Sequence, residues 1–277
     1  MTIACSTSVR CNSSLEKALA DIEAAGFEAI DLLAIDGWVH VNPTDLANRF
    51  EETLARLDGL LSQHRLVPVA LNTGVSPQLQ QRSPEVNAQR EREVQGLIRL
   101  MQRYGIQVAA MQPRNPDPAR PWGEVLRACV ATLREQVEAG RAAGVTFALE
   151  LHVHSPFETL EQARQLLAAM PDLPLAYDPS HYVMQGIEIK ETAWLMDHAR
   201  HVHLRDADVN QMQVPFGEGA VDFDWVLGAL EDRGYQGHVA IEYLESDQFD
   251  ALDSTLRLRD LIARHFPPRN TQHGTRV

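Results

Sequence analysis

The sequence has few of the features that mark a secreted, membrane or disulfide-bonded protein. Only three of its 277 residues are cysteines, Cys5, Cys11 and Cys129, and none of their spacings is CxxC. This predicts reduced thiols rather than disulfides or a cysteine-based metal site. No run of about 18 apolar residues is present, so no membrane span is predicted. The N-terminus has no basic segment followed by an apolar one, so we expect no secretory signal and a cytoplasmic location.

Positive charge is also scarce. The chain has 25 Lys and Arg residues against 38 Asp and Glu residues, a formal net charge of −13. An acidic surface repels phosphate backbones, so we expect no nucleic-acid partner. No GxGxxG segment follows the first predicted strand, which argues against a dinucleotide-binding fold.

What the sequence does have is a regular alternation of short apolar strands and amphipathic helices, a pattern typical of a parallel sheet. Eight such units in one chain predict an α/β fold of a single domain, a (β/α)₈ TIM barrel over residues 1–265. The tail, 266–277, is polar, and we expect it to be flexible. A doubly wound open sheet is the alternative, but only a closed barrel brings the acidic ends of strands five, six and eight together. The predicted strands span residues 3–7, 29–33, 67–72, 106–111, 145–151, 173–177, 201–204 and 238–243.

Helix starts can be predicted from capping residues. Ser13 and Glu16 have the spacing of a capping box, in which each side chain satisfies the other residue's free backbone N–H. Ser83 followed by proline predicts an N-cap and first helical position. Ser155 has the same pattern and predicts a helix that runs to residue 170, and a further helix is expected from residue 44 or 45 to 64.

Acidic residues and imidazoles stand at the ends of the later strands. Glu150, Asp178 and Glu242 each end an apolar run, and the seventh strand carries His201 and His203. Three carboxylates and one or two imidazoles on different strands predict a single metal site at one mouth of the barrel. The two histidines share a face because side chains alternate along a strand, so the spacing does not decide which of them binds the metal. Hard oxygen ligands with one nitrogen suit Mn²⁺, Mg²⁺, Co²⁺ or Zn²⁺, and we expect Mn²⁺.

Other residues near strand ends are weaker candidates. His152 lies two residues beyond Glu150 on the same side, where it binds substrate or supports a metal ligand. Trp38, Asn72 and Gln112 end strands two to four and are expected to line a substrate pocket, although Trp38 equally fits packing beneath a loop. The loop 213–219 follows strand seven, where barrels often bind phosphate through backbone N–H groups. Glu218 within it would repel phosphate, which favours a substrate without one.

One spacing resembles that of a known group of proteins. The order of Glu150, Asp178-Pro-Ser-His181, His201-Val-His203-Leu-Arg205 and Glu242 is similar to that of the xylose isomerase-like barrel superfamily. That superfamily contains sugar isomerases and epimerases, inosose isomerases and dehydratases, hydroxypyruvate isomerases and the endonuclease IV repair enzymes. The resemblance covers nearly the whole chain, and its motifs are specific to the superfamily but not to a substrate.

The resemblance implies a role for each matching residue. Metal ligation falls to Glu150, Asp178, His203 and Glu242, and the two glutamates also act as acid and base on opposite faces of the substrate. His181 contacts a substrate oxygen near the metal, and Arg205 binds a substrate oxygen or orients a ligand. The ketose 3-epimerases carry a second glutamate six residues after the one that matches Glu150. Here that position is Pro156, so the sequence departs from that subgroup.

Four functions follow in order of preference. The first is a divalent-metal isomerase or epimerase of a sugar, keto-sugar or cyclitol, which abstracts a proton next to a metal-bound carbonyl. The second is a dehydratase or lyase that uses the same site on a keto-polyol. The third, an endonuclease IV-like repair enzyme, needs histidines after strands two and three, but strand three ends in Asn72-Thr-Gly. The fourth is a non-catalytic binding protein. We expect a small polyol or keto-sugar ligand and a homo-oligomer.

Overall fold

A computed structural model describes residues 2–38 and 40–266, and it shows a closed barrel of parallel strands. Each strand pairs with the next strand in the sequence, and the last strand pairs with the first. The prediction of a (β/α)₈ barrel is therefore confirmed and the open sheet is wrong. Except for Phe266, the tail expected to be flexible lies outside the described residues. The strands are β1 (Thr2–Ser6), β2 (Ala29–Ile35), β3 (Val67–Gly74), β4 (Val108–Met111), β5 (Thr146–Glu150), β6 (Leu175–Tyr177), β7 (Ala199–Leu204) and β8 (His238–Ile241).

Helices surround the barrel. None of those in the described part of the chain is long and apolar enough to cross a membrane. Short 3₁₀ helices cover Thr7–Arg10 and Ile189–His198. The α-helices are α1 (Leu15–Ala24), α2 (Pro43–Asn48), α3 (Phe50–Leu61), α4 (Pro84–Tyr104), α5 (Trp122–Ala143), α6 (Leu160–Ala169), α7 (Ser180–Val183), α8 (Phe223–Asp232) and α9 (Ala251–His265).

Three helix predictions are corrected by the structure. The single helix expected over 44–64 is two, α2 and α3, divided at Arg49, whose backbone (φ −140°, ψ 47°) is not helical. The cap of α1 is Ser14, which accepts from the N–H of Lys17, because the Ser13 hydroxyl instead donates to Glu245 at 2.9 Å.

The helix expected to start at Ser155 begins later. Ser155 accepts from the N–H of Phe157 in a local turn, and the capping box of α6 is formed by Thr159 and Gln162. By contrast, the start of α4 at Ser83 is confirmed, and α4 ends at Gly105, whose positive φ of 71° suits a glycine.

Small side chains occupy the inside of the barrel. Two clusters of buried residues, separate from the main core between strands and helices, consist almost entirely of alanines. In seven strands one of these alanines lies two residues before a polar residue that is nearer the mouth, so both face the barrel interior. The short alanines leave room for large polar groups. The pairs are Ala4 and Ser6, Ala29 and Asp31, Ala70 and Asn72, Ala110 and Gln112, Ala148 and Glu150, Ala176 and Asp178, and Ala240 and Glu242.

Candidate active site

The four predicted metal ligands meet at the C-terminal mouth of the barrel. Glu150 is the last residue of β5, Asp178 and Glu242 directly follow β6 and β8, and His203 lies in β7. All four are nearly fully buried, and one ligand atom from each lies within 4.8 Å of every other. We call these four residues the ligand cluster.

His203, rather than His201, faces the carboxylates of the ligand cluster. Its Nδ1 lies 2.8 Å from Glu150 Oε1 and 3.3 Å from Glu242 Oε2. Its Nε2 lies 2.8 Å from Asp31 Oδ2, and the Nε2 of His201 lies 3.1 Å from that same oxygen. The spacing did not decide which of the two imidazoles binds the metal, and their surroundings differ. His203 lies between Asp31 and the carboxylates of the ligand cluster, whereas His201 contacts Asp31 behind that cluster.

Arg205 connects two members of the ligand cluster. Its guanidinium is 2 % exposed, with Nη2 3.1 Å from Asp178 Oδ2 and Nη1 3.3 Å from Glu242 Oε2. Nε donates to the Ser180 hydroxyl at 2.9 Å, and Nη2 lies 3.1 Å from Nε2 of His181. A guanidinium with several acceptors around it is held in one orientation, which fixes the side chains on either side.

Two amide side chains connect the glutamates. Asn72 donates to Glu242 Oε1, and Gln112 donates to Glu150 Oε2. Gln112 also donates to Asn72 at 3.3 Å, so an unbroken chain of hydrogen bonds runs from one glutamate to the other. Both amides lie at the mouth of the barrel, where they contact the acids themselves.

The remaining predicted residues lie around the ligand cluster at different depths. The ring centroids of His152 and His181 are 3.8 Å apart. His181 is buried, whereas His152 is half-buried, and its Nδ1 lies 2.5 Å from the carbonyl oxygen of Val153. Trp38 lies in the loop between β2 and α2 and is 38 % exposed. Among the described residues its side chain makes no hydrogen bond to the ligand cluster.

The site carries more negative than positive charge. Burial raises the pKa of Asp178 to about 6, and the charges of Glu150 and Glu242 act in the same direction against Arg205. Burial alone would raise the pKa of Glu242, but the charges of His203 and Arg205 lower it to about 2. Burial opposes a charge on His203, yet the charge of Glu242 and the hydrogen bonds that the ring donates to the neighbouring carboxylates raise its pKa well above the usual value.

The ligand cluster fits a divalent metal ion. Three carboxylates and one imidazole are the donor set of Mn²⁺, Mg²⁺, Co²⁺ or Zn²⁺. Asp178 Oδ2 is buried and lies 3.1 Å from Arg205 Nη2, but it accepts no well-oriented hydrogen bond from the described residues, so it has a lone pair that can bind an ion. Asp31 accepts behind His203, as carboxylates commonly do behind metal-binding histidines.

Asp31 is a residue of this site that the sequence analysis did not single out. It lies within β2, is fully buried, and contacts both histidines of β7. A signal was present, because Asp31 follows Ala29 in the alanine–any residue–polar pattern that also precedes Asn72, Gln112 and the three acids of the ligand cluster.

Three relatives with named activities resemble the chain. An inosose isomerase from Halalkalibacterium halodurans is 24 % identical over 94 % of this chain and 96 % of the relative. An L-ribulose-5-phosphate 3-epimerase, UlaE, from Escherichia coli K12 is 25 % identical over 87 % of this chain and 83 % of the relative. An inosose dehydratase from Erwinia tasmaniensis is 29 % identical, but over only 44 % of this chain and 49 % of the relative.

Solved structures show the same fold. The IOLI protein, determined with a bound zinc atom, superimposes with a TM-score of 0.73 at 20 % identity, over 96 % of this chain and 100 % of that one. A xylose isomerase-like TIM barrel protein from Mycobacterium smegmatis, in complex with magnesium, gives a TM-score of 0.74 at 16 % identity, over 95 % and 96 %.

The family is established by a match over most of the sequence. Residues 19–264 match the family model described as a xylose isomerase-like TIM barrel, a range that contains the whole ligand cluster. The named relatives are an isomerase, an epimerase and a dehydratase, all of them enzymes, which supports an enzyme here as well. With its closed eight-stranded barrel, the chain belongs to the xylose isomerase-like TIM barrel family.

Proposed function

We propose that the protein is a divalent-metal-dependent isomerase or epimerase that moves a proton at a carbon next to a carbonyl of a sugar, keto-sugar or cyclitol. The observation that carries this proposal is the ligand cluster, with four hard donor atoms within 4.8 Å of one another at the mouth of a barrel. The inosose isomerase and the ribulose-phosphate epimerase support the reaction class.

Glu150, Asp178, Glu242 and Nδ1 of His203 would hold one ion, for which we propose Mn²⁺ with Mg²⁺, Co²⁺ or Zn²⁺ as alternatives. When bound, a divalent cation polarises a substrate carbonyl oxygen and makes the neighbouring C–H more acidic. The zinc of the IOLI structure and the magnesium of the Mycobacterium smegmatis protein support a metal in this family without deciding which one this chain uses.

Glu150 and Glu242 are the proposed acid and base. Each carboxylate accepts from an amide, Gln112 or Asn72, which holds its oxygens in place at the mouth, and a carboxylate in this position can take a proton from carbon. Because the two glutamates lie at the ends of β5 and β8, a substrate between them meets one on each side. One removes the proton, and the same or the other glutamate returns it.

His181 and Arg205 are proposed to bind substrate oxygens beside the metal. Arg205 is held by Asp178 and Glu242, so its charge lies close to the reacting atoms. His152 and Trp38 lie nearer the solvent and are proposed to contact the rest of the substrate, together with Asn72 and Gln112.

The structure of the loop after β7 supports the proposal that the substrate carries no phosphate. Its backbone N–H groups at Gly217 and Gly219 donate to the carboxylate of Asp206, at 2.8 and 3.2 Å. These groups are therefore already satisfied, and Glu218 between them adds negative charge. Activity tests should begin with free sugars and cyclitols and use their phosphates for comparison.

Proton exchange tests the proposal. Turnover of a keto-sugar or inosose in D₂O with Mn²⁺ should place deuterium at one carbon of a product that has the formula of the substrate. Turnover without exchange at any carbon would point to a hydride shift and contradict the proposed proton transfer.

A dehydratase is the alternative, supported by the inosose dehydratase relative. The same base would remove the proton, but a hydroxyl on the next carbon would leave. Mass spectrometry separates the two reactions, because a dehydratase product is lighter by one water.

Location and assembly remain proposals. Cys5, Cys11 and Cys129 are buried free thiols, which supports a reducing compartment such as the cytoplasm. We propose a homo-oligomer, to be tested by light scattering. Because the net charge is −13, we expect no cleavage of abasic duplex DNA at physiological salt, with or without Zn²⁺.

A further inference from the structure

Asp31 is a carboxylate enclosed in the barrel interior. It belongs to β2, whereas the histidines that it contacts belong to β7, and β1 and β8 lie between those strands in the barrel. The contact therefore crosses the interior rather than joining neighbouring strands. A buried carboxylate is costly unless hydrogen bonds or positive charge compensate it, so its partners must satisfy it.

Among the described residues, the hydrogen bonds to the Asp31 side chain are all accepted by one carboxylate oxygen. Oδ2 lies 2.8 Å from Nε2 of His203 and 3.1 Å from Nε2 of His201, while Oδ1 has no hydrogen-bond partner in the described chain. A carboxylate oxygen can only accept, so both histidines donate through Nε2. The two rings are perpendicular, at 86° with centroids 4.8 Å apart, which lets both N–H groups point at one acceptor.

These hydrogen bonds decide which nitrogen of His203 is available to a metal. With hydrogen on Nε2, the neutral ring has its lone pair on Nδ1, the atom that faces Glu150 and Glu242 at 2.8 and 3.3 Å. A neutral histidine with hydrogen on Nδ1 would instead present an N–H to the metal and a lone pair to Asp31, an unfavourable arrangement on both sides.

We propose that Asp31 is a positioning residue for the metal, which holds His203 in the tautomer and orientation that direct Nδ1 into the ligand cluster, with His201 as the second donor that keeps Asp31 in place. This inference rests on the proposed metal site. Asp31 does not touch the ion, and its effect is transmitted through the His203 ring.

Metal affinity tests the role of Asp31 without using activity. Titration of metal-free protein with Mn²⁺ should give a dissociation constant that rises by about 10- to 100-fold in Asp31→Asn, the usual scale for partners of metal-binding histidines. Asp31→Ala should bind more weakly still, because asparagine keeps an acceptor for Nε2–H and alanine does not. If Asp31 acted only through its charge, both variants would lose the same affinity.

Glu93→Gln is a matched control. Glu93 is also a buried carboxylate, 1 % exposed, but it accepts from Ser76 and Thr44 away from the ligand cluster. This variant should bind Mn²⁺ within about twofold of the wild type even if its thermal stability falls. A similar affinity loss in Glu93→Gln would assign the effect of Asp31→Asn to general destabilisation.

Nitrogen NMR on the wild type covers the case in which the Asp31 variants do not fold. In protein labelled with ¹⁵N-histidine and loaded with Zn²⁺, His203 should show hydrogen on Nε2 and metal on Nδ1. Metal on Nε2, or an Asp31→Asn affinity within twofold of the wild type, would overturn the proposal. If the wild type bound no metal at all, that result would instead contradict the proposed function itself.

Discussion

The two halves of the barrel supply different chemistry to the same mouth. Strands β5 to β8 end in charged or metal-binding side chains, the ligand cluster and Arg205. Near the ends of β3 and β4 lie the neutral amides of Asn72 and Gln112, which donate to Glu242 and Glu150. The early half therefore orients groups that the late half provides. Asp31 of β2 is the exception, a charged residue of the early half that contacts the late half only through imidazoles.

This division suggests why the amides suit their positions. A carboxylate at either place would add negative charge to a site where burial, together with the charges of Glu150 and Glu242, already raises the pKa of Asp178 to about 6. An amide donates a hydrogen bond at no cost in charge. Loss of function should therefore be graded, with the largest losses from residues of the late half.

The largest effect is expected from loss of metal ligands. His203→Ala and Asp178→Ala should keep the fold but lose most of the bound ion, about one per chain in the wild type, and with it nearly all activity. Elemental analysis and circular dichroism measure the two properties separately. Full metal occupancy in both variants would refute the assignment of the ligand cluster.

A smaller but still large effect is expected when only the basic oxygen is lost. Glu150→Gln and Glu242→Gln keep an oxygen that can bind metal, so at saturating Mn²⁺ occupancy should be retained. Turnover should fall by at least ~10²-fold, the usual contribution of general acid–base catalysis. If both variants stay active with metal bound, the two glutamates are not the acid and base.

The amides of the early half should matter less. Asn72→Ala and Gln112→Ala each remove one hydrogen bond to a charged group, for which we take about 1.5 kcal/mol, the lower end of the usual range, so we expect turnover to fall by roughly 10-fold. Gln107→Ala is the control, because Gln107 is an exposed amide just before β4, at the opposite end from Gln112. Equal losses in the amide and glutamate variants would contradict the division between the halves.

The smallest effect on activity is expected at a helix terminus. Ser14→Ala removes the cap of α1 and should lower the free energy of unfolding by about 1 kcal/mol with turnover unchanged. Chemical denaturation measures the loss. A larger loss in Ser13→Ala than in Ser14→Ala would show that the contact of Ser13 with Glu245 stabilises the fold more than the cap does.

The barrel and the meeting of the four ligand residues were predictable because both follow from local pattern. Alternating strands and helices predict closure, and an acid at the end of a buried strand faces a common mouth whatever the loops do. Predicting that Glu150, Asp178 and Glu242 lie close together required only the strand order and the direction of their side chains. The family resemblance supplied the choice of His203 over His201, which the structure places among the carboxylates.

Contacts between distant segments account for what the sequence reasoning missed. Ser13 is drawn away from the helix terminus by Glu245, which follows β8, and no local pattern shows that partner. Asp31 was overlooked because a single acid in an apolar strand has no local partner, and its two histidines lie about 170 residues later. The alanine two positions before an inner polar residue, repeated in seven strands, is a local regularity that includes Asp31.

Closure of the barrel has a consequence for when the site forms during synthesis. Glu242 follows the last strand, which must pair with β1 at the start of the chain, and Asp31 comes from the second strand. No partial chain that ends before β8 contains all the groups that surround an ion here. Uptake of the proposed metal ion is therefore expected late in biogenesis, and a bound ion would join side chains from the third and last quarters of the polypeptide.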